Sequence, residues 1–363
     1  MKLAIISLGG TSSELIAKEA KDFFDTVDLL DIRKIEINAH LKKLEVIYEK
    51  KPIQEYDCVY IRGSFNYSLL QRSLVYILKN KNTYIPFQPD TFTIAHDKFL
   101  TILALQKNGA KVPTTYLAAS MKSAKKLLEE IHFPIIMKVP SGTQGKGVMS
   151  ADSLASARSM LDTLESLRQP VILQEYIETD ATDVRVIVAG RKVIACMKRK
   201  GRAGEIRSNI HQGGIGIPYE LDYQGENDAI RAAKAVGADL CGVDMLESAK
   251  GNMIIEVNLS PGLKGIMNAT KKNVARLVAE FLHKQTSEFK KGEKEKGIEE
   301  IMKGIKTKNE KENEKAVLTN LDIKAGKIRL PELMTKISGF REGEEVVLVA
   351  EDGKVEVRRH DVK

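Results

Sequence analysis

Apolar runs of strand length alternate with stretches of helical spacing along most of this chain. Residues 3–8 and 58–61 read as strands, and apolar positions three and four apart predict helices over 13–24 and 68–78. That alternation predicts a small α/β layer in residues 1–85. A helix over 95–108 stops at Gly109, and residues 113–149 then give a strand, a helix over 123–131 and a second strand. Further strands are predicted over 171–174, 183–189 and 192–197, with a helix over 227–236. Two more strands, 241–246 and 252–258, are separated by turn-forming residues 247–251. A last helix covers about 272–288, and no internal repeat is visible.

The pattern then changes. In residues 290–315, 16 of 26 positions are Lys or Glu, too few apolar groups to bury, so a flexible or partly helical tether is expected. A separate small unit occupies 316–363. A chain of 363 residues exceeds the usual domain size of roughly 100 to 150 residues, so several units are expected. The net charge of +8 favours anionic partners without naming them. Cys58, Cys196 and Cys241 lie far apart inside apolar runs, without zinc-site spacing, and read as buried thiols. The opening apolar run is shorter than a secretory core of roughly 7 to 15 residues, and no run approaches the 18 or so of a membrane span. A cytoplasmic protein with no membrane partner is expected.

Candidate chemistry concentrates in the last two strands. Glu256 and Asn258 share a face, and an antiparallel partner folded about Lys250 places Asp244 opposite Glu256. Carboxylates placed together repel unless something positive sits between them. Oxygen-only ligands suit Mg²⁺ or Mn²⁺, and Mg²⁺ commonly binds through one or two carboxylates plus substrate phosphates, which makes a nucleotide the expected companion. A solvated strand face is the competing account of these acids.

The segment 141–148 joins two strands, and its glycines let backbone amides approach an anion. It is neither a Walker A loop nor a dinucleotide fingerprint, because a strand follows it rather than a helix. A surface hairpin would look the same, but Lys138 ends the preceding strand and delivers a cation to the base of the loop. Residues 174–177 close an apolar strand where backbone groups suit a purine, although an ordinary strand end reads alike. Lys198, Arg199, Lys200, Arg202 and Arg207 form a basic stretch that is either a solvated face or a contact to phosphate and an acidic substrate. Nucleic acid competes for the same charge, but no aromatics interleave it. His211 reads as a satisfied loop histidine.

In order along the chain, Asp97-Lys98, Ile136-Met-Lys138, Gly142-Thr-Gln-Gly-Lys-Gly147, Gln174-Glu-Tyr-Ile177, Asp183-Val-Arg185, Arg207-Ser-Asn209, Gly242-Val-Asp244 and Glu256-Val-Asn258 through Leu263 resemble the ATP-grasp superfamily. The resemblance is strongest to its RimK-type glutamate ligases and spans about residues 1–285. It implies an α/β (α+β) protein with a pre-ATP-grasp α/β domain over 1–85 and an ATP-grasp domain over 86–288. A charged linker would follow over 289–315, then a small β-rich module over 316–363.

The resemblance further implies an ATP site of Lys98, Lys138, Gly142, Gly145, Lys146, Gly147, Arg207, Ser208 and Asn209. Glu175, Tyr176 and Ile177 would hold adenine, and Glu175 or Asp183 the ribose region. Asp244, Glu256 and Asn258 would bind two Mg²⁺ or Mn²⁺ ions. Arg199 and Arg207 would act on the reacting groups, with Arg199, Ser260 and Gly262 facing the acceptor. The implied reaction activates a carboxylate as an acylphosphate, which an amino-acid amine, that of glutamate, displaces. The acceptor carboxylate would be a protein C-terminus or a cofactor tail. No covalent nucleophile is needed, because phosphoryl transfer rests on positioning and charge neutralisation. The glycine loop is expected to close as a lid. Asp244→Asn and Glu256→Gln are both expected to stop turnover and leave folding intact.

Residues 326–359 resemble an AbrB-type swapped hairpin, a module that dimerises and often binds DNA. A regulator built on that module, with the ATP-grasp part as nucleotide sensor, is the competing function. Glu342, Glu344, Glu345 and Glu351 oppose phosphate binding, so homo-oligomerisation is favoured over DNA contact.

Overall fold

The structure, a computed structural model of the chain, describes residues 1–41, 43–79, 81–140, 147–201, 215–304, 322–324, 327–329, 336–341, 343–351 and 354–359. It divides into two compact units, Met1–Lys290 and Lys291–Lys363. The first unit opens with β1 (Lys2–Ser7), α1 (Thr11–Ala20) and β2 (Thr26–Asp31). An antiparallel meander follows, β3 (Ile35–His40), β4 (Lys43–Tyr48) and β5 (Lys51–Pro52), before β6 (Cys58–Ile61) and α2 (Ser68–Lys79). Strands β2, β1 and β6 form a parallel sheet in that order, and the continuous apolar runs of β1 and β6 reflect burial inside it. Strands β2 to β5 escaped the sequence reading because Asp, Glu, Asn and Lys interrupt their apolar residues.

The single helix expected over 95–108 is two, α3 (Thr91–His96) and α4 (Lys98–Lys107). Asp97 leaves helical geometry at φ −103° and ψ 117°, and its carboxylate accepts from the backbone N–H groups of Phe99 and Leu100 at 2.8 and 2.9 Å. This cap satisfies donors that a helix start otherwise leaves bare. It also sets Lys98 at the first position of α4, where Nζ donates to the Pro140 carbonyl at 3.0 Å.

A small lobe follows: β7 (Thr115–Leu117), α5 (Met121–Leu127), β8 (Ile135–Lys138), β9 (Val148–Ala151), α6 (Leu154–Ser166) and β10 (Ile172–Glu175). Its antiparallel sheet, in order β7-β10-β8-β9, has a core of its own that includes Leu128, Ile135, Met137, Leu161 and Leu173. Ile135 and Met137 enter that core, so Ile136 and Lys138 take the opposite face. The large lobe consists of β11 (Thr182–Ala189), β12 (Lys192–Lys200), β13 (Ile215–Pro218), α7 (Tyr223–Ala235), β14 (Leu240–Ser248), β15 (Gly251–Asn258), α8 (Lys264–Thr270) and α9 (Val274–Gly304). Its five strands run antiparallel in the order β13-β12-β11-β14-β15. One continuous core joins it to the first layer through residues such as Ile5, Tyr60, Phe87, Val186, Val243 and Leu282. The last helix runs beyond the expected end at residue 288.

In the second unit, β16 (Asp322–Lys324) pairs with β17 (Lys327–Arg329), and β18 (Val346–Glu351) pairs with β19 (Lys354–Arg359). The three cysteines are buried and free.

Candidate active site

The β14–β15 ladder sets Asp244 directly opposite Glu256 and Gly242 opposite Asn258, with a register irregularity after Asp244. Side-chain alternation therefore gathers Asp244, Glu256 and Asn258 on one face. Glycine at 242 is required by close packing, because a Cβ there would stand 2.9 Å from the Pro261 side chain.

Two arginines from neighbouring strands complete this face. β11 pairs with β14 so that Arg185 faces Asp244, and with β12 so that Asp183 faces Arg199. Arg185 donates through Nε at 2.6 Å and Nη2 at 2.5 Å to the two Asp244 oxygens. Arg199 bridges the acids, donating from Nε to Asp183 at 2.7 Å and from Nη2 to the second Asp183 oxygen, with Nη2 also 3.0 Å from Asp244. Asp244 and Arg199 are only 3% and 6% exposed. Burial acts to raise the Asp244 carboxyl, but the charges of Arg185 and Arg199 outweigh it and hold the group well below the usual range. For Arg199 burial is likewise outweighed, by Asp244 and Asp183, and its guanidinium is held above its ordinary value.

Glu256 behaves in the opposite way. It keeps a solvent-accessible surface yet is enclosed by protein, and burial followed by the negative charge of Asp244 pushes its carboxyl up. Lys98 and Lys138, approaching from α4 and from β8 of the small lobe, oppose that rise. Burial lowers both lysines, and Lys138, further repelled by Lys98, falls to about 8 despite the attraction of Glu256. Charges separated by more than a hundred residues of sequence thus meet at one strand pair.

At the end of β10, Glu175 accepts from Lys250 Nζ at 2.8 Å and from the backbone N–H of Thr114 at 3.2 Å, and the Lys250 bond lowers its carboxyl. Tyr176 is half-buried and Ile177 buried. A cavity of about 520 Å³ is lined by Glu178, Thr182, Asp183, Lys198 and Glu247 among others. Gly147 is exposed at φ 74°, a region that favours glycine, and its carbonyl accepts from the backbone N–H of Val139 at 2.9 Å. Ser260 and Gly262 sit on the turn after β15, where Ser260 Oγ accepts from the backbone N–H of Gly63 at 2.9 Å. Gly142, Gly145, Lys146, Arg207, Ser208 and Asn209, with His211, lie outside the described residues.

Lys98, Lys138, Asp183, Arg199, Asp244 and Glu256 are therefore brought together, while Glu175, Tyr176 and Ile177 lie at and just after the end of β10 and do not line the cavity. Arg185 received no role from the sequence, although its two-residue offset from Asp183 already put both on one side of β11.

A small antiparallel sheet bearing Lys138 on β8, beside a larger antiparallel sheet bearing paired acids, is the ATP-grasp architecture. Residues 95–282 match the model of the RimK-like ATP-grasp domain, and the chain belongs to that family. It is 34% identical over 288 residues to a probable alpha-L-glutamate ligase of Saccharophagus degradans, covering 78% of this chain and 95% of the relative. A protein of the same description in Vibrio cholerae is 32% identical over 291 residues, 79% of this chain and 97% of the relative. Among solved structures, the ATP-grasp ligase PsnB complexed with a phosphomimetic precursor variant, Mg and ADP aligns with a TM-score of 0.63 at 17% identity, covering 78% of this chain and 98% of that one. The macrocyclase MdnC of Microcystis aeruginosa, bound with precursor peptide MdnA, aligns with a TM-score of 0.59 at 16% identity, covering 78% of this chain and 99% of that one. The chain is an ATP-dependent carboxylate–amine ligase, and the regulator reading is not favoured. None of the described helices is long and apolar enough to cross a membrane.

Proposed function

We propose that this ligase adds L-glutamate, through its amine, to a carboxylate on a protein C-terminus or a cofactor tail. The observation that carries the site assignment is the convergence of Lys98 and Lys138 on the Asp244–Glu256 strand pair. The relatives described as probable alpha-L-glutamate ligases support glutamate as the added residue. In this reading Lys98 and Lys138 hold nucleotide phosphates, Glu175 to Ile177 border the adenine, and Glu175 or Asp183 meets the ribose.

The residues fit a divalent cation: Asp244 and Glu256 are hard oxygen donors opposed across one ladder, and Asn258 adds an amide oxygen. Bound there, Mg²⁺ or Mn²⁺ would neutralise developing phosphate charge. Asp183, Arg185 and Arg199 are proposed to fix the Asp244 carboxylate in place, since each bond in the network limits its rotation. The acceptor carboxylate oxygen attacks the γ-phosphorus and ADP leaves; the amine nitrogen then attacks the acyl carbon, loses a proton, and phosphate leaves. Arg207 to Asn209 are assigned to the phosphates, and Ser260 and Gly262 to the acceptor side. Mass spectrometry of cell extract incubated with the enzyme, ATP and isotope-labelled glutamate tests this reading. One product should gain glutamyl mass with the label, whereas ADP formation without any glutamylated product contradicts it.

The residues beyond the ligase are proposed to make a homo-oligomer. In β18 and β19, Leu348 is 68% and Val355 58% exposed, on a two-stranded sheet that is marginal alone in water. Light scattering should show an even-numbered oligomer that a chain truncated after residue 315 loses; identical masses for the two proteins would reject this role. Its acids Glu342, Glu344, Glu345 and Glu351 argue against DNA as the partner.

A further inference from the structure

Arg62, at the end of β6, is 5% exposed, and among the described residues no carboxylate lies within ion-pair distance of it. Its Nη1 donates to the Tyr60 hydroxyl at 2.9 Å and its Nη2 to the Pro261 carbonyl at 2.8 Å, with the guanidinium 5.4 Å from the Tyr60 ring centre. Those two bonds use two of the five N–H donors of a guanidinium. A buried cation held only by neutral groups is costly, and such charges are normally matched by an anion.

Its position gives the anion a context. Pro261 follows the cation-site residue Asn258 by three positions, and its side chain packs on Gly242, the ladder partner of Asn258. The same turn is tied to the first layer twice more: Ser260 accepts from Gly63, and the backbone N–H of Leu263 donates to Ser12 Oγ at 2.9 Å. A Cβ built on Gly9, Gly10 or Gly262 would meet nothing within 4 Å, so the space beside this junction is open.

We infer that Arg62 is a substrate-binding residue that takes a carboxylate at the junction of the first layer and the Ser260 to Leu263 turn. This rests on the ligase reading above, because that reaction brings carboxylates both on glutamate and on the acceptor. The guanidinium offers a fork suited to a carboxylate, and Arg62 is rooted in the ligase body rather than in the phosphate-facing lysine set.

The test uses the full-length protein with AMPPNP and Mg²⁺, and calorimetric titration with three probes: L-glutamate, L-glutamate α-amide and N-acetyl-L-glutamate. Arg62→Met is expected to weaken binding of at least one carboxylate probe about tenfold to a hundredfold, while AMPPNP affinity stays within about twofold; Arg62→Lys should recover part of the loss. Loss for glutamate but not for its α-amide, which binds weakly to either protein, locates the glutamate α-carboxylate at Arg62. Loss confined to N-acetylglutamate, which has no amine to donate, locates the acceptor carboxylate. Unchanged affinity for every probe in a folded Arg62→Met protein overturns the proposal, as does equal weakening of AMPPNP and probes, which marks a structural role. Failure of the wild-type protein to bind any probe also overturns it. Labelled-glutamate transfer by the wild-type enzyme is scored separately, so the ligase reading stands or falls on its own result.

Discussion

Glu256→Gln is expected to lower ADP release about a hundredfold to a thousandfold while leaving the melting temperature unchanged or slightly higher. The substitution keeps volume and removes one negative charge that faces Asp244 across the ladder. Since burial and Asp244 push the Glu256 carboxyl up from its ordinary 4.5, its ionised form weakens the free protein. The sign follows from proton counting. Between 4.5 and the raised folded value the native state holds more protons than the unfolded one, so stability falls as pH rises through that window. Glu256→Gln should remove this contribution to the pH profile.

Asp244→Asn differs, which corrects the expectation that both substitutions spare the fold. Asp244 is the shared acceptor of half-buried Arg185 and buried Arg199, and neutralising it leaves those charges short of a partner. A loss of about 3–5 kcal/mol is expected alongside the loss of turnover. Denaturant unfolding of both variants beside ADP-release assays separates the two acids; equal stability of the variants would show that the arginine network contributes nothing.

The second large effect is expected at Lys138. Lys138→Met should weaken ATP binding about tenfold to a hundredfold, as loss of a charge-assisted phosphate contact does. Burial lowers Lys138 from 10.5 to about 8, so at pH 8 about half of the free protein lacks this proton. Phosphate oxygens favour the charged form, and ATP binding near that pH should take up about half a proton. Calorimetry in buffers of different ionisation enthalpy reads this uptake, which Lys138→Met should abolish. The stability sign also follows: between about 8 and 10.5 only the unfolded chain retains the proton, so the folded state gains stability as pH rises across that window. Undiminished uptake in Lys138→Met would place the titrating group elsewhere.

Much of the site was legible because strand periodicity is simple. A hairpin turning near Lys250 required Asp244 to oppose Glu256, and the ladder does so. The break at Asp97 was hidden because apolar spacing runs through it, whereas the capping bonds depend on one carboxylate turning toward Phe99 and Leu100. The meander of β3 to β5 was missed because its residues are half-polar and only partly buried. Arg199 stood out as a member of a basic stretch, yet its pairing with Asp183 and Asp244 depends on the order β12-β11-β14, which periodicity within any one strand does not reveal. Arg62 was invisible for a related reason: its neighbour Pro261 lies almost two hundred residues away along the chain.

The central claim is that Asp244, Glu256 and Asn258 jointly hold a divalent cation against the phosphates of ATP. Crystals grown with AMPPNP and Mn²⁺ test it through the anomalous signal of manganese. The account predicts strong peaks within coordination distance of all three side chains and of the nucleotide phosphates. A bound nucleotide whose phosphates lie away from β14 and β15, with no manganese beside these residues, would contradict it.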